Sequence, residues 1–150
     1  MNDVVWGKAV DGLALGLSSP TKNVVRLHLK NAGNKVLDVW SYVEAEEVHL
    51  DFFQLRLENG GTRELRLYDD REESASVDAT LKPGETLRHD LDVEDWSGRE
   101  VNGGQALPAG KYRVWATYEV KKDDGKHWRG RLEAGPANLT IAPKANAKQP

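Results

Sequence analysis

The side chains that could carry chemistry in this chain are four histidines, a run of carboxylates and five tryptophans. His28, His49, His89 and His127 stand apart, none with a second histidine two to five residues on. No HExxH pair exists, so neither a helix-borne metal site nor a metallohydrolase is indicated. His28 falls on the polar parity of its segment, whereas His89 shares parity with apolar residues and suits a satisfied core position. The chain has no cysteine, which removes disulfides, thiolate metal ligands and a cysteine nucleophile together. No GxSxG elbow is present and no serine stands beside a histidine in a recognisable frame, so nucleophilic hydrolysis has no footing.

The run Asp90-Leu91-Asp92-Val93-Glu94-Asp95 invites a calcium reading. An EF-hand loop needs glycine at its sixth position and glutamate at its twelfth, and Asp95 and Val101 stand there instead. Strand alternation accounts for the run as a solvated outer face, with a calcium site of another type as the alternative. Asp69-Asp70 and Glu46-Glu47 sit in charged connectors and read as solubility rather than acid–base machinery. Gly60-Gly61 and Gly103-Gly104 read as turns, since neither opens a helix as a phosphate loop must. Asn138-Leu139-Thr140 has the form of a glycosylation acceptor but falls within a predicted strand. None of these features implies a cofactor.

The aromatics are the better candidates. Trp115 lies on the polar parity of its strand, Trp40 and Tyr42 do so in one of two registers, and Trp128 follows a hairpin turn. Rings left outward on a sheet stack on sugars or anchor a protein partner. The alternative is that the lead-in segment, a loop or a second sheet covers them, because large aromatics are mostly buried. Trp115, Trp40, Tyr42 and Trp128 are therefore the candidate partner-binding residues.

The elements that must position these residues follow a strand period. Leu13, Leu15 and Leu17 alternate with Ala14 and Gly16; Val25, Leu27 and Leu29 alternate with Arg26, His28 and Lys30. A third strand spans 36–43, with either Leu37, Val39 and Val43 or Trp40 and Tyr42 toward the core. Leu50 to Leu57 and a segment around Leu65 and Leu67 flank Asn59-Gly60-Gly61, a hairpin signal. Val77 to Leu81 and a strand from Leu87 through Val93 and Glu94 flank Lys82-Pro83-Gly84-Glu85. Tyr112 to Val120 is strictly alternating, Asp123-Asp124-Gly125 predicts a tight hairpin, His127 to Glu133 returns, and Asn138 to Ile141 resumes after a break at Gly135-Pro136. Turn signals every 8–12 residues or so, without a long amphipathic helix, predict an all-β sandwich of about seven to nine strands.

Composition sets the outer limits. A chain of 150 residues can form one domain burying about 68–70% of the surface its unfolded form exposes. That domain is expected over 1–142, with 1–12 as a lead-in and 143–150, which lacks apolar periodicity, as a tail. A formal net charge of -3, with acids and bases interspersed, offers no concentrated basic face for nucleic acid. No apolar run approaches a membrane span, and Met1 to Gly7 lacks the basic and apolar regions of a signal peptide.

Leu107-Pro108-Ala109-Gly110-Lys111-Tyr112 turns a Pro/Gly corner straight into the alternating strand. A tyrosine there reads as the tyrosine corner of an immunoglobulin-like antiparallel β-sandwich. Val24 to Leu37 resembles the strand–turn–strand of bacterial immunoglobulin-like modules. Leu81-Lys82-Pro83-Gly84-Glu85-Thr86-Leu87, followed by Leu107 to Ala116, resembles the second half of the bacterial intracellular proteinase inhibitor family. Together these stretches cover about half the chain. Trp6-Gly7 to Leu17 looks like the lead-in of such modules in bacterial envelope and secreted proteins. The resemblance implies a sandwich and, further off, serine-protease inhibition and an extracytoplasmic location. No inhibitory residue carries over, because the matching positions are corners of the fold.

The reading that follows is a non-catalytic binding or structural module of a bacterial extracytoplasmic protein or assembly, working through contacts with another protein or domain. The alternatives are a serine-protease inhibitor and a carbohydrate-binding module that uses its exposed aromatics on a polysaccharide.

Overall fold

The computed structural model describes residues 3–44, 50, 52–67 and 75–142. Ten strands run in the order β1 (Val5–Trp6), β2 (Leu13–Thr21), β3 (Val24–Asn31), β4 (Leu37–Glu44), β5 (Phe53–Glu58), β6 (Thr62–Arg66), β7 (Ala75–Leu81), β8 (Thr86–Asp92), β9 (Gly110–Val120) and β10 (Gly130–Ile141). A short helix, α1 (Val93–Ser97), and a 3-10 turn at Glu100–Asn102 lie between β8 and β9. One antiparallel sheet has the order β1-β2-β3-β8, a second the order β10-β9-β5-β6, and β4 pairs with β7 alone. The fold is all-β and sandwich-like, as the alternation predicts. The strand number exceeds the expected seven to nine because the lead-in itself contributes the two-residue β1.

The core lies where the alternating apolar faces meet. Leu15, Leu17, Leu27 and Leu29 of the first sheet and Leu55, Leu57, Val114, Leu132 and Leu139 of the second are all at most 2% exposed. Burying each of these leucines contributes about 1.5–3 kcal/mol. Every inward residue of β9, from Tyr112 to Val120, is buried. The Tyr112 hydroxyl donates to the Pro108 carbonyl at 2.6 Å, the bond that the corner predicts.

Where sequence reading and structure part, the cause is local. The lead-in straps across the sandwich rather than trailing from it. Trp6 pairs with Gly16 and covers it, so β2 is buried on both faces as far as Ser19. The strand predicted from Leu50 begins at Phe53, whose amide turns back to the Leu50 carbonyl. The strand predicted through Glu94 stops at Asp92, whose carboxylate accepts from the Asp95 amide and caps α1. Asp123-Asp124-Gly125 makes no two-residue hairpin, because the Asp124 carboxylate collects the amides of Lys126 and His127 and opens a longer loop, Lys121–Arg129. Gly135-Pro136 does not end a strand either. It forms a bulge within a continuous β10, and a side chain at Gly135 would stand 2.7 Å from the Val114 carbonyl oxygen. The ambiguous register at 36–43 resolves with Val39 fully buried and Trp40 on the opposite face beside Asp78; a bulge between Trp40 and Tyr42 returns Tyr42, paired with Val77, to the face of Val39, and both rings are half-buried. His49, Glu46-Glu47, the 69–74 loop and the 143–150 tail lie outside the described residues.

Candidate functional site

The four candidate aromatics do not form one surface. Trp115 sits mid-strand on the outer face of the second sheet, opposite Arg56 in register. The Arg56 and Arg113 guanidinium groups lie 4.4 and 5.2 Å from its ring centroid, close enough for cation–π attraction. Its edge fills the space that Gly135 leaves open. Beside it is only a shallow groove of about 140 Å³, lined by Gln54, Glu64, Thr117, Arg131 and Glu133. Trp115 is therefore covered by arginines rather than bare.

Trp128 is 6% exposed, donates its indole N–H to the Val10 carbonyl at 2.9 Å and packs on Tyr118. Its expected role at a partner surface gives way to a core role: it ties the lead-in to the body of the domain. Tyr42 meets His89 edge-on, with the ring centroids 6.2 Å apart, beside Ser41, whose hydroxyl lies against the same imidazole.

Trp40 is the candidate that borders open space. With Phe52, whose ring lies nearly parallel at 6.1 Å, it lines a cleft of about 460 Å³ together with Ser76, Glu119, Val120, Lys121 and Lys122. That volume lies within the about 300–1,000 Å³ typical of ligand sites. Glu119 is engaged by Arg131 at 3.5 Å. The ammonium groups of Lys121 and Lys122 have no ion-pair partner among the described residues, so the cleft combines an aromatic floor with a basic rim.

Behind Trp40 stands a residue that sequence reading assigned no role. The His127 ring stacks on the indole at 3.9 Å between centroids with an 18° interplanar angle. Its Nδ1 lies 2.6 Å from Asp124 Oδ2 and its Nε2 lies 2.8 Å from Asp78 Oδ2. Burial lowers the histidine's proton affinity, but the bonds to Asp78 and Asp124 outweigh it and hold the pKa above the ordinary value. Asp78 is correspondingly lowered, chiefly by its bond to His127. Asp124 is lowered further, by the His127 and Lys126 amides and then by the imidazole. Asp124, three residues before His127, is the only part of this cluster visible in the sequence; Asp78 arrives from β7.

The fold brings two serines to histidines that no sequence frame joins. Ser18 Oγ and His28 Nε2 are 2.9 Å apart, and Ser41 Oγ and His89 Nε2 are 3.2 Å apart. Strand pairing creates both contacts, and no motif spacing encodes them. Burial lowers the pKa of both imidazoles, with Arg88 and Arg26 adding to the effect at His28. A nucleophile–base pair also needs room for a substrate, whereas Ser18 and His28 are each 4% exposed and Ser41 is 2% exposed. These pairs satisfy buried polar groups.

The acidic run is similarly occupied. Asp90 takes a bidentate pair with Arg26, Asp92 caps α1, and Asp95 binds Arg99 at 2.8 Å. Among the described residues no three acids or histidines gather as a metal cluster, and no helix is long and apolar enough to cross a membrane. No family model matches the chain, and neither a curated protein nor a solved structure matches it.

Proposed function

We propose that this chain is a non-catalytic binding module of a bacterial extracytoplasmic protein or assembly, and that it engages a segment of another protein at the Trp40–Phe52 cleft. The carrying observation is the pairing of that aromatic floor with the Lys121 and Lys122 ammonium groups. Apolar area supplies affinity, and a basic rim selects a negatively charged partner. The occupant that fits is an acidic segment with an aliphatic or aromatic anchor. The extracytoplasmic setting rests on the resemblance of the lead-in and the corner to envelope modules.

The alternatives have less support. Sugar stacking needs a bare ring face, and Trp115 has guanidinium groups close to its ring. Protease inhibition needs an exposed loop to present. Of the 96–106 segment, the part up to Asn102 is folded into α1 and a 3-10 turn, with Arg63 donating to the Ser97 and Asn102 carbonyls, which leaves residues 103–106 as its only exposed run.

The test is titration of the ¹⁵N-labelled domain with synthetic peptides carrying a leucine or phenylalanine among glutamates, beside lysine-substituted controls. Selective shifts of the Trp40 indole and the Lys121 and Lys122 amides, lost in a Lys121→Glu, Lys122→Glu variant, are expected. Equal response to acidic and basic peptides, or shifts centred on Trp115, would overturn the assignment.

A further inference from the structure

His127 is placed so that only one protonation state suits it. A neutral imidazole has one N–H and one bare lone pair, whereas both ring nitrogens here face carboxylate oxygens at 2.6 and 2.8 Å. Only the imidazolium donates to both. The positive ring also lies flat on the Trp40 indole, an arrangement that favours the charged form again.

The cluster joins three parts of the chain. Asp124 belongs to the loop Lys121–Arg129, Asp78 to β7 and Trp40 to β4, and the Trp128 amide donates to the Asp38 carbonyl beside them. Among the described residues, the other charges near the ring have partners of their own. On β4 the Asp38 carboxylate accepts from the Thr80 hydroxyl, and in the loop Asp123 pairs with Arg129. Lys126 lies 3.8 Å from Asp78, which lessens but does not replace what His127 gives that carboxylate. The same loop carries Lys121 and Lys122.

We infer that His127 is a proton-operated latch, holding the basic rim of the Trp40 cleft in place while protonated and releasing it when the proton leaves. In its regulatory consequence this rests on the binding function proposed above; the latch itself does not. Loss of the proton sets a lone pair against Asp78 or Asp124, and the cluster separates on that side. Binding of an acidic segment then weakens as pH rises, because the rim lysines lose their fixed position.

Long-range ¹H–¹⁵N spectra of the histidine side chains test the latch without any ligand. The expected result is a doubly protonated His127 ring whose titration midpoint lies above the ordinary histidine value of about 6.5, shared by the Trp40 indole and the 121–126 amides. In an Asp78→Asn, Asp124→Asn variant that midpoint should fall to the ordinary value or below. A neutral His127 tautomer at mildly acidic pH, or loop amides that ignore its titration, would refute the latch.

Peptide binding is read separately on the same samples. With the leucine–glutamate peptide, affinity should fall by about fivefold or more across the His127 midpoint, and His127→Gln should remove that pH dependence. Affinity that tracks no midpoint refutes the regulatory link. Binding at no pH refutes the cleft as a site, and the ligand-free titration then decides the latch by itself.

Discussion

Asn31 offers the sharpest test of how the two layers are held together. Its side chain is fully buried at the end of β3. The amide nitrogen donates to the Leu81 carbonyl at 2.9 Å and to the Lys35 carbonyl at 2.6 Å, and the amide oxygen accepts from the Gly33 amide at 3.0 Å. Its main chain bonds Gly84 and Glu85 as well, so one residue connects the first sheet to the β7–β8 turn and the β3–β4 connection. Asn31→Ala removes the three side-chain bonds, each contributing about 0.5–1.5 kcal/mol net. The penalties differ by partner. Lys35 is exposed and its carbonyl can take water, whereas Leu81 is 4% exposed and loses a donor in a dry setting. The expected destabilisation is about 2–4 kcal/mol, which lowers the melting temperature by about 4–16 °C at roughly 2–4 °C per kcal/mol for a domain of this size. Calorimetry gives the magnitude, and amide exchange at Gly33 and Gly84 shows whether the opening is local. Asn31→Asp is the companion variant, because it keeps the shape but aims an oxygen at two carbonyls. Burial should raise that carboxyl's pKa, so the folded state would bind its proton more tightly than the unfolded chain does. The penalty is then small in acid and grows as pH rises above the unfolded carboxyl range. A folded Asn31→Ala protein that melts within about 2 °C of the parent would refute the reasoning.

Three further outcomes follow from the same geometry. Tyr112→Phe should cost about 0.5–1.5 kcal/mol in chemical denaturation, since the exposed Pro108 carbonyl can rehydrate; a loss above about 3 kcal/mol would mean the corner does more than its single hydrogen bond. Gly135→Ala places a methyl group 2.7 Å from the Val114 oxygen and 2.9 Å from the Trp115 ring at φ +129°. It should cost about 1–3 kcal/mol or more and alter the near-ultraviolet dichroism of Trp115, and an unchanged spectrum and stability would count against the bulge. The stability that His127 contributes should be fully present below the unfolded histidine pKa and lost as pH rises through its raised folded value, so parent and His127→Gln stability profiles should converge toward alkaline pH.

How much was legible in the sequence depended on whether the deciding interaction was local. The strands around Leu15, Leu27, Leu55 and Val114 were legible because period-two alternation is a property of the segment alone. The Tyr112 corner was legible because donor and acceptor sit four residues apart. Trp128 is misplaced because its position after a turn does not show that the lead-in crosses above it to accept from its indole. The end of the strand at Asp92 was missed because alternation continued through Val93 while a capping carboxylate had already redirected the backbone. The His127 cluster was half legible. Asp124 stands three residues away, but Asp78 lies on another strand, and a sequence lists no register between β7 and a loop.

The same non-local side chains narrow where a partner can join. Strand addition needs an edge with free main-chain groups. At the edge strand β6, the Asn102 amide donates to the Arg66 carbonyl and its oxygen accepts from the Arg66 amide, so one side chain occupies the place of a neighbouring strand. At the far edge of the same sheet, Asn23 makes the equivalent pair with both main-chain groups of Ala142, and its own amide donates to the Thr140 carbonyl. Both outer strands of the second sheet are thus blocked at one end by asparagines. The outer face of that sheet presents arginines packed around Trp115 together with neighbouring carboxylates. Of the three routes open to a sandwich module (sheet edge, sheet face and terminal loops), the first two are obstructed on this sheet. Among the described residues, the loop end, where Trp40 lines a cleft that Lys121 and Lys122 border, is the route left open.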